Sequence, residues 1–343
     1  MLFNLKTALS TIQTPLYAKN PDKILIACPF CGGTMLADNK RYTCYDCCKT
    51  GNIVDFIAER DHTSHKKAAL RAEKDKPSKE TLDEIYRCNE LAARFFEEQK
   101  SECKYLAKRM ISNKTSAAFR LGYAPLNSEA LLEYLKAKDI SDEVMIEARL
   151  CNDEFRPFFR NRAMFPITDE FGRIVGFGGR RITDDNPKTP KYLNSGENLV
   201  FHKKSVLFGL DKALGNDTVY IVEGYMDVIA LYQAGITNAV AALGTAIGIS
   251  HCTLLRDMGV KNVILCMDSD EAGIKSIIRS IPILRNYFTV NVVRLSGAKD
   301  PDEYITLNGK ESFMSLDRIS GDSFWVEHCD EKQKYSIALD CLL

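Results

Sequence analysis

The chain has 343 residues with 46 basic and 46 acidic side chains, so its formal net charge is zero, and its hydrophobic share of 45% is ordinary for a globular protein of two or three domains. No apolar run reaches the roughly 18 residues of a membrane-spanning helix, and Thr, Gln and Ser interrupt the N-terminal segment where a secretion signal would be continuous. We therefore exclude a membrane protein and, because many of the twelve cysteines are scattered, predict a cytoplasmic one.

Four cysteines near the N-terminus are spaced as two metal-binding knuckles. CPFC at 28–31 and CYDC at 44–47 give the pattern C-x₂-C-x₁₂-C-x₂-C, and the residues between them are long enough for a short hairpin. Four thiolates surround one zinc ion tetrahedrally and leave no open position, so this site would be structural. Cys48 is an alternative fourth ligand because C-x₃-C is also permitted, but the matching spacing favours Cys47. The predicted ligands are Cys28, Cys31, Cys44 and Cys47.

A charged stretch separates this region from the rest of the chain. Residues 61–80 are polar and highly charged without a wide apolar face, which predicts a linker. His62 and His65 lie in that stretch, where solvated side chains are a better interpretation than metal ligands. Residues 82–110 carry apolar side chains at helical spacing and are expected to form one or two amphipathic helices.

The middle of the chain is rich in basic residues. Residues 158–182 alternate apolar stretches with turn residues, which predicts paired strands and a tight turn at 170–172. Basic side chains along such strands suit a groove for triphosphates or a nucleic-acid backbone, and a charge-rich surface is an equally good interpretation. No P-loop sequence occurs, which excludes a Walker-type motor. The basic residues are Arg160, Arg162, Arg180, Arg181, Lys188 and Lys191.

From residue 218 onward, strand-like and helix-like segments alternate regularly. That alternation predicts a parallel α/β sheet, and ligands bind such sheets beyond the carboxyl ends of the strands. Acidic residues follow three of the strands, where Mg²⁺ or Mn²⁺ would neutralise them. Helix capping or solvation is the alternative for any single acid. The acids are Glu223, Asp227, Asp268, Asp270, Asp300 and Asp302.

Two sets of motifs resemble a known family. EGYMD at 223–227, LGTA at 243–246, DSDEAG at 268–273 and DPDE at 300–303 resemble the TOPRIM domain of primases, topoisomerases and some nucleases. More particular segments precede them, and from about residue 27 to 304 the chain resembles the RNA polymerase core of bacterial DnaG-type primases, including phage and plasmid relatives. They include YLAKRMIS at 105–112, FRLGYAP at 119–125, RNRAMFPI at 160–167, GFGGR at 176–180, PKYLNS at 190–195 and FHKKSVLFGLDKA at 201–213.

The resemblance implies a role for each matched residue. Glu223 resembles the acid that handles a proton or binds metal, and Asp227 a supporting acid. The implied metal ligands, besides Glu223, are Asp268, Asp270, Asp300 and Asp302. The implied contacts to nucleotide and template are Arg109, Arg180 and Lys191, to which we add Arg160 and Arg162 from the basic strands. The four cysteines match the zinc ligands of a domain that helps to choose the initiation site.

The sequence also departs from this family. Cys31 stands where cellular primases often have His, Cys48 where glycine is usual, and Ser269 in place of the glycine of DGD. The chain ends soon after the catalytic sheet, which predicts a short helical remnant without the full C-terminal subdomain or the helicase-binding domain. The predicted division is a zinc-binding domain over 1–60, a linker over 61–80, an N-terminal core subdomain over 81–217, a TOPRIM domain over 218–305 and the remnant over 306–343.

The predicted fold is therefore a small zinc ribbon, a mixed α+β core subdomain and a parallel-sheet α/β TOPRIM domain. The predicted activity is that of a DNA-dependent RNA primase, which makes short RNA primers on single-stranded DNA from ribonucleoside triphosphates. The resemblance implies one structural Zn²⁺ and two catalytic Mg²⁺ or Mn²⁺ ions. A TOPRIM nuclease or topoisomerase-like enzyme is the alternative, and a non-catalytic single-strand binder a third class. A separate replicative helicase stays open as a partner, and no membrane partner is expected.

Overall fold

A computed structural model describes residues 23–32, 34–38, 41–60, 64–65, 78–183 and 189–328. The chain divides into two compact units, one formed by residues 1–82 with 342–343 and the other by residues 83–341. The predicted linker over 61–80 ends close to this division, although most of it lies outside the described residues. Each unit has a hydrophobic core of its own.

The first unit contains a small antiparallel ribbon. Three aromatic rings, those of Phe30, Tyr42 and Phe56, pack against one another in its core with centroids 5.6 to 6.1 Å apart. The predicted hairpin between the two cysteine pairs is confirmed by the antiparallel pairing of the second and third strands. The elements are β1 (Lys23–Ala27), β2 (Thr34–Asp38), β3 (Tyr42–Cys44), β4 (Thr50–Gly51) and α1 (Ile53–Arg60).

The second unit begins within a long amphipathic helix and builds its first sheet from antiparallel strands. The two central strands are buried along almost their whole length because helices and the second sheet cover both faces. The predicted turn between them is confirmed, with Gly172 in the left-handed region at φ 77° and the Asp169 carboxylate accepting the N–H groups of Phe171 and Arg173. The strands, in spatial order, are β5 (Gly122–Ala124), β6 (Arg162–Thr168), β7 (Ile174–Arg181) and β8 (Tyr192–Asn194).

Short helices and turns accompany this sheet. The long first helix buries Ile85, Ala92 and Phe96 at helical spacing, as the sequence predicts. Single turns of 3-10 helix lie at Lys100–Glu102 and Lys203–Ser205. The helices are α2 (Lys79–Glu98), α3 (Lys104–Lys108), α4 (Asn113–Ala118), α5 (Glu129–Lys136), α6 (Asp142–Glu147) and α7 (Leu210–Ala213).

The second sheet has the predicted alternation of strands and helices. Its spatial order is β10-β9-β11-β12-β13, in which the first four strands are parallel and β13 runs antiparallel to β12. On the β10 side, Phe208 forms a bridge with Ala241. The elements are β9 (Thr218–Val222), α8 (Tyr225–Gln233), β10 (Ala239–Ala241), α9 (Ile249–Asp257), β11 (Asn262–Leu265), α10 (Glu271–Leu284), β12 (Thr289–Val293), α11 (Pro301–Met314, interrupted at Gly309), β13 (Arg318–Ser320) and α12 (Gly321–His328).

Two structural features bear on the predicted division. The boundary predicted at residue 305 falls inside α11, and β13 joins the sheet beyond it, so the described part of the predicted remnant continues the α/β layer to His328. The boundary at residue 217 separates two sheets that belong to one compact unit. Among the described residues, no helix is both long and apolar enough to span a membrane.

Candidate active site

The candidate site lies at the carboxyl ends of the parallel strands, where open α/β sheets bind their ligands. Strands β9 and β11 are neighbours in register, with Ile221 opposite Leu265, so the residues that follow them meet. Glu223 follows β9, and the backbone N–H of Asp268 donates to its Oε1 atom at 3.2 Å. The acidic cluster, as we name it, consists of Glu223, Asp227, Asp268, Asp270, Asp300 and Asp302.

Two of these acids begin helices. Asp270 caps α10 and accepts the N–H of Gly273 at 2.9 Å, and Asp300 caps α11 and accepts the N–H of Glu303 at 2.8 Å. The loops that carry them are tied together, because the Ser269 N–H donates to the carbonyl of Lys299 at 2.8 Å. Capping therefore accounts for part of the acid pattern, and in each residue it occupies one carboxylate oxygen and leaves the second for another partner.

Asp227 is the buried member of the acidic cluster, in the first turn of α8. Its Oδ2 atom accepts the N–H of Gly224 at 3.0 Å and its Oδ1 atom accepts the N–H of Asp302 at 3.3 Å. Burial raises the pKa of Asp227 to about 8, with the charges of Asp300 and Asp268 adding to the effect and the two N–H groups opposing it. These contacts fit the predicted supporting role, because the buried Asp227 carboxylate binds the backbone of the Gly224 loop and of the first turn of α11.

Like charges act on the exposed side of the cluster. Burial raises the pKa of Asp268 to about 6, with Glu223 and Asp300 adding and Lys299 opposing. The pKa of Glu223 is raised by burial as well, while the N–H of Asp268 lowers it. An oxygen-only donor set with mutual repulsion fits a divalent cation such as Mg²⁺. Within the described part of the chain, no three of these carboxylates have oxygen atoms that all lie within 4.8 Å of one another.

A glycine makes room for the Asp268 loop. A Cβ atom on Gly273 would lie 2.1 Å from the carbonyl oxygen of Asp268 and 2.9 Å from Oε1 of Glu223. Real Cβ atoms do not approach backbone atoms so closely, so either α10 or the Asp268 loop would have to shift. The glycine of the DSDEAG motif is therefore required by the packing of α10 against the loop.

Beside the acids lies a group of cations and aromatic rings, the basic–aromatic cluster, made of Tyr105, Arg109, Arg180 and Tyr192. The Arg180 guanidinium carbon is 3.8 Å from the centroid of the Tyr105 ring, and that of Arg109 is 5.2 Å from the same ring. Nη1 of Arg109 lies 2.6 Å from Oδ2 of Asp302, which joins the two clusters. The structure thus brings Arg109 and Arg180 together, as the resemblance implies.

The other basic residues occupy different environments. Arg160 and Lys191 are exposed, close to the first residues of β6 and β8, and fit the predicted template contacts. Arg162 is 5% exposed, and its guanidinium donates to the carbonyls of Gly179 at 2.9 Å and Pro190 at 3.1 Å. These contacts argue against the predicted template contact for Arg162, because the side chain is buried and its guanidinium already donates to backbone carbonyls. Lys188 lies outside the described residues.

Sequence reasoning missed the two tyrosines of the basic–aromatic cluster. Tyr192 stacks on Tyr225 with a centroid distance of 5.9 Å, and Tyr225 stacks on Phe165 at 4.9 Å. The Tyr225 hydroxyl donates to Asn194 at 2.8 Å, which fixes β8 next to α8. Both tyrosines lie in segments quoted above for their resemblance, YLAKRMIS and PKYLNS, but nothing in a single sequence separates a stacking ring from a core ring.

The four predicted zinc ligands do come together in the first unit. The Sγ atoms of Cys28 and Cys47 are 3.9 Å apart and those of Cys31 and Cys44 are 3.6 Å apart. A tetrahedral site with bonds of about 2.3 Å needs sulfur atoms about 3.8 Å apart, so the geometry fits a metal ion. Cys48 is exposed at φ 57° and is not part of this group, which favours Cys47 as the fourth ligand.

The thiols differ in pKa because their surroundings differ. Chiefly the N–H of Cys47 lowers the pKa of the Cys44 thiol to about 7, whereas burial raises that of Cys28 to about 12. A bound metal ion would hold all four as thiolates. His65 is exposed and pairs with Asp55 at 3.1 Å, which agrees with its interpretation as a solvated residue, and His62 lies outside the described residues.

Comparisons with known proteins define the class. Residues 92–214 match the family of the DNA primase catalytic core, N-terminal domain, and residues 220–305 match the Toprim-like family. The two matches coincide with the antiparallel sheet and the parallel sheet of the second unit. This pairing defines a primase catalytic core, in contrast to topoisomerases and other proteins that share only the second match.

Named relatives support the same class. The DNA primase of Clostridium acetobutylicum is 38% identical over 303 residues, which are 81% of this chain and 50% of that protein. The crystal structure of the zinc-binding and RNA polymerase domains of Aquifex aeolicus primase has a TM-score of 0.64 at 31% identity, over 92% of this chain and 84% of that one. A DnaG primase catalytic domain bound to single-stranded DNA has a TM-score of 0.64 at 30% identity, over 76% and 92%. The chain belongs to the DnaG-type DNA primase family, and it spans about half the length of the curated relatives it matches.

Proposed function

We propose that this chain synthesises short RNA primers on single-stranded DNA. The observation that carries the proposal is the contact between the two clusters, in which carboxylates at the ends of β9, β11 and β12 lie next to the stacked arginines Arg109 and Arg180. The family membership and the relative bound to single-stranded DNA support the choice of substrate. The acids suit metal ions and the arginines suit phosphates, and nucleotidyl transfer needs both.

We propose that Glu223, Asp268, Asp270 and Asp300 hold two Mg²⁺ or Mn²⁺ ions. Such ions supply charge neutralisation at the attacked phosphorus and at the leaving pyrophosphate. In the reaction, the primer 3′-oxygen bonds to the α-phosphorus of the incoming nucleotide, the bond to pyrophosphate breaks, and Glu223 accepts the hydroxyl proton. Arg109 and Arg180 bind the triphosphate, while Arg160 and Lys191 contact the template backbone.

We propose a structural Zn²⁺ for the four cysteines, in a unit that helps to choose the initiation site. The exposed Tyr45 offers a stacking contact on the ribbon, and the Lys49 ammonium, which lies 4.8 Å from the Phe30 ring, pairs with Glu59 at 2.7 Å. Recruitment by a separate replicative helicase stays a prediction. It would be tested by copurification of the full chain with such a helicase.

The experiment is primer synthesis on mixed-sequence single-stranded DNA with labelled ribonucleotides, with and without Mg²⁺ or Mn²⁺. The expected result is short metal-dependent RNA, absent in Asp268→Asn and present in the exposed-site control Asp322→Asn. Template cleavage without new RNA would replace this proposal by the nuclease alternative. Template binding with neither product would leave a single-strand binder.

A further inference from the structure

One acid of the cluster is held by a cation. Oδ2 of Asp302 lies 2.6 Å from Nη1 of Arg109, although the two residues are 193 positions apart in the chain. The Asp302 side chain is 19% exposed and that of Arg109 is 38% exposed. A charge-assisted hydrogen bond of this length in a half-buried setting has a defined geometry, unlike most surface ion pairs.

Arg109 is fixed from a second side by an aromatic ring. Its guanidinium lies over Tyr105, four residues earlier, and the same ring carries the Arg180 guanidinium. Tyr105 is itself buried, with 8% of its surface exposed. The ring therefore sets the spacing of two cations that come from separate segments of the chain.

The backbone after Arg109 is fixed as well. Nε2 of Gln233, at the end of α8, donates to the carbonyl of Met110 at 3.3 Å, and its Oε1 accepts the N–H of Ser112 at 2.7 Å. Met110 has a φ of 51°, in the left-handed region that a side chain of this size rarely adopts. The Gln233 amide thus holds an unfavourable turn in place, and it does so from the helix that carries Asp227.

Asp302 occupies a different place from the other acids. Glu223 and Asp268 meet directly at the strand ends, whereas Asp302 lies in the first turn of α11 and turns its carboxylate to the guanidinium. Its backbone N–H donates to Asp227, which anchors the residue without using its side chain. A metal ion at either oxygen of Asp302 would lie close to the Arg109 guanidinium, whose positive charge repels it.

We propose that Asp302 is a positioning residue, which holds the Arg109 guanidinium beside the acidic cluster for the phosphates of a nucleoside triphosphate, and is not a metal ligand. The proposal deepens the proposed function and rests on it for the identity of the ligand. It departs from the role that the sequence resemblance implies for Asp302. Gln233 and Tyr105 help to position the same arginine. Gln233 holds the backbone that follows Arg109, and the Tyr105 ring packs against its guanidinium.

Metal binding is the first test. Free Mn²⁺ would be titrated by electron paramagnetic resonance into the full chain with zinc retained, for wild type, Asp302→Ala, Asp302→Asn and Asp268→Asn. The expected result is Mn²⁺ affinity within about twofold of wild type for both Asp302 variants and at least about tenfold weaker for Asp268→Asn. A loss for Asp302→Asn as large as that for Asp268→Asn would overturn the proposal. Asp322→Ala, from an exposed Asp–Arg pair with Arg285 at 3.4 Å, is the matched control.

Nucleotide binding is the second test, measured at equilibrium with a fluorescent nucleoside triphosphate and Mg²⁺. Arg109→Ala and Asp302→Ala are each expected to weaken binding about tenfold, the size of one charge-assisted hydrogen bond. Because the two residues act as a unit, the double variant should be no weaker than Arg109→Ala alone. Additive losses, or unchanged binding in Asp302→Ala, would contradict the positioning role. Gln233→Ala, which leaves both charges in place, should weaken binding in the same direction.

These readouts separate two kinds of failure. Both are binding measurements, so they report on Asp302 even if the chain makes no primer. A wild-type chain that binds Mn²⁺ and nucleotide but makes no RNA would reject the proposed function. The role of Asp302 would still be decided by the binding measurements on its variants. A wild-type chain that binds no nucleoside triphosphate would overturn the inference itself. Thermal denaturation of each variant confirms that the folded protein is being compared.

Discussion

The backbone N–H of Asp268 donates to the Glu223 carboxylate at 3.2 Å, which joins the ends of two adjacent parallel strands by a single contact. The acceptor belongs to a side chain that repels the donor residue's own carboxylate, as the raised pKa values of both acids reflect. Attraction through the backbone and repulsion through the side chains therefore act between the same two residues. Without a cation, this pair costs folding stability.

Asp268→Asn should abolish primer synthesis and change the pH dependence of stability. The pKa of Asp268 is raised from its ordinary value near 4 to about 6 in the folded chain, so the native state binds more protons than the unfolded state, and stability falls as pH rises through this interval. The variant lacks this loss. Thermal denaturation between pH 4.5 and 8, with zinc retained but Mg²⁺ and Mn²⁺ removed, should show a smaller decline in melting temperature than wild type. An identical decline would show that Asp268 does not titrate in this range.

Gly273→Ala should disrupt the site from within. The added Cβ would overlap the Asp268 carbonyl oxygen at 2.1 Å, so either α10 or the loop must shift. We expect a loss of about 2 kcal/mol or more in the free energy of unfolding, measured by urea denaturation, together with weakened Mn²⁺ binding. Gly196→Ala is the control, because its Cβ would meet nothing closer than 3.5 Å. Equal stability of the two variants would contradict the close packing described for Gly273.

Cys44→Ser should release the metal ion from the first unit, since three thiolates cannot complete the tetrahedral set. Zinc content of the purified chain, measured by mass spectrometry, should fall from about one ion to near zero. Cys48→Ser removes a thiol next to the site and should retain the ion, because Cys48 lies outside the group of four sulfur atoms. Loss of zinc in Cys48→Ser with retention in Cys47→Ser would reverse the assignment of the fourth ligand.

Arg162→Ala should act on stability and not on template affinity. The guanidinium donates to the buried carbonyl of Gly179 and to the carbonyl of the exposed Pro190, so its removal leaves one buried acceptor without this partner and should cost about 2 kcal/mol in the free energy of unfolding. The exposed Arg160→Ala should change stability by less than about 0.5 kcal/mol and instead reduce the salt dependence of template binding by about one unit of slope. The reverse pattern would restore Arg162 to the template surface.

The amino-acid sequence predicts the parts of the site that depend on local order. Alternating strands and helices are enough to place Glu223 and Asp268 at the same edge of a sheet, and two cysteine pairs at matched spacing predict the metal group. Local order does not predict the Arg109–Asp302 pair, because a contact across 193 positions leaves no trace in local periodicity.

The sequence also does not predict which basic residues at a strand are buried. Arg162 and Arg160 lie two positions apart, and their sequence environment is almost the same, yet one is inside the sheet and the other is exposed. The three residues of β13 are too few to show a strand pattern, so the sequence does not predict that the sheet extends past residue 305.

The bridge between Phe208 and Ala241 and the antiparallel β13 cover opposite sides of the parallel sheet. Open strand edges carry unpaired N–H and carbonyl groups that recruit strands from other molecules, and here each edge of the parallel strands already has a partner from the same chain. In the folded chain these contacts limit the pairing of the parallel strands with strands of other molecules. Under the proposed function, template and nucleotide would meet this unit through its loops and side chains, where no strand register has to be kept.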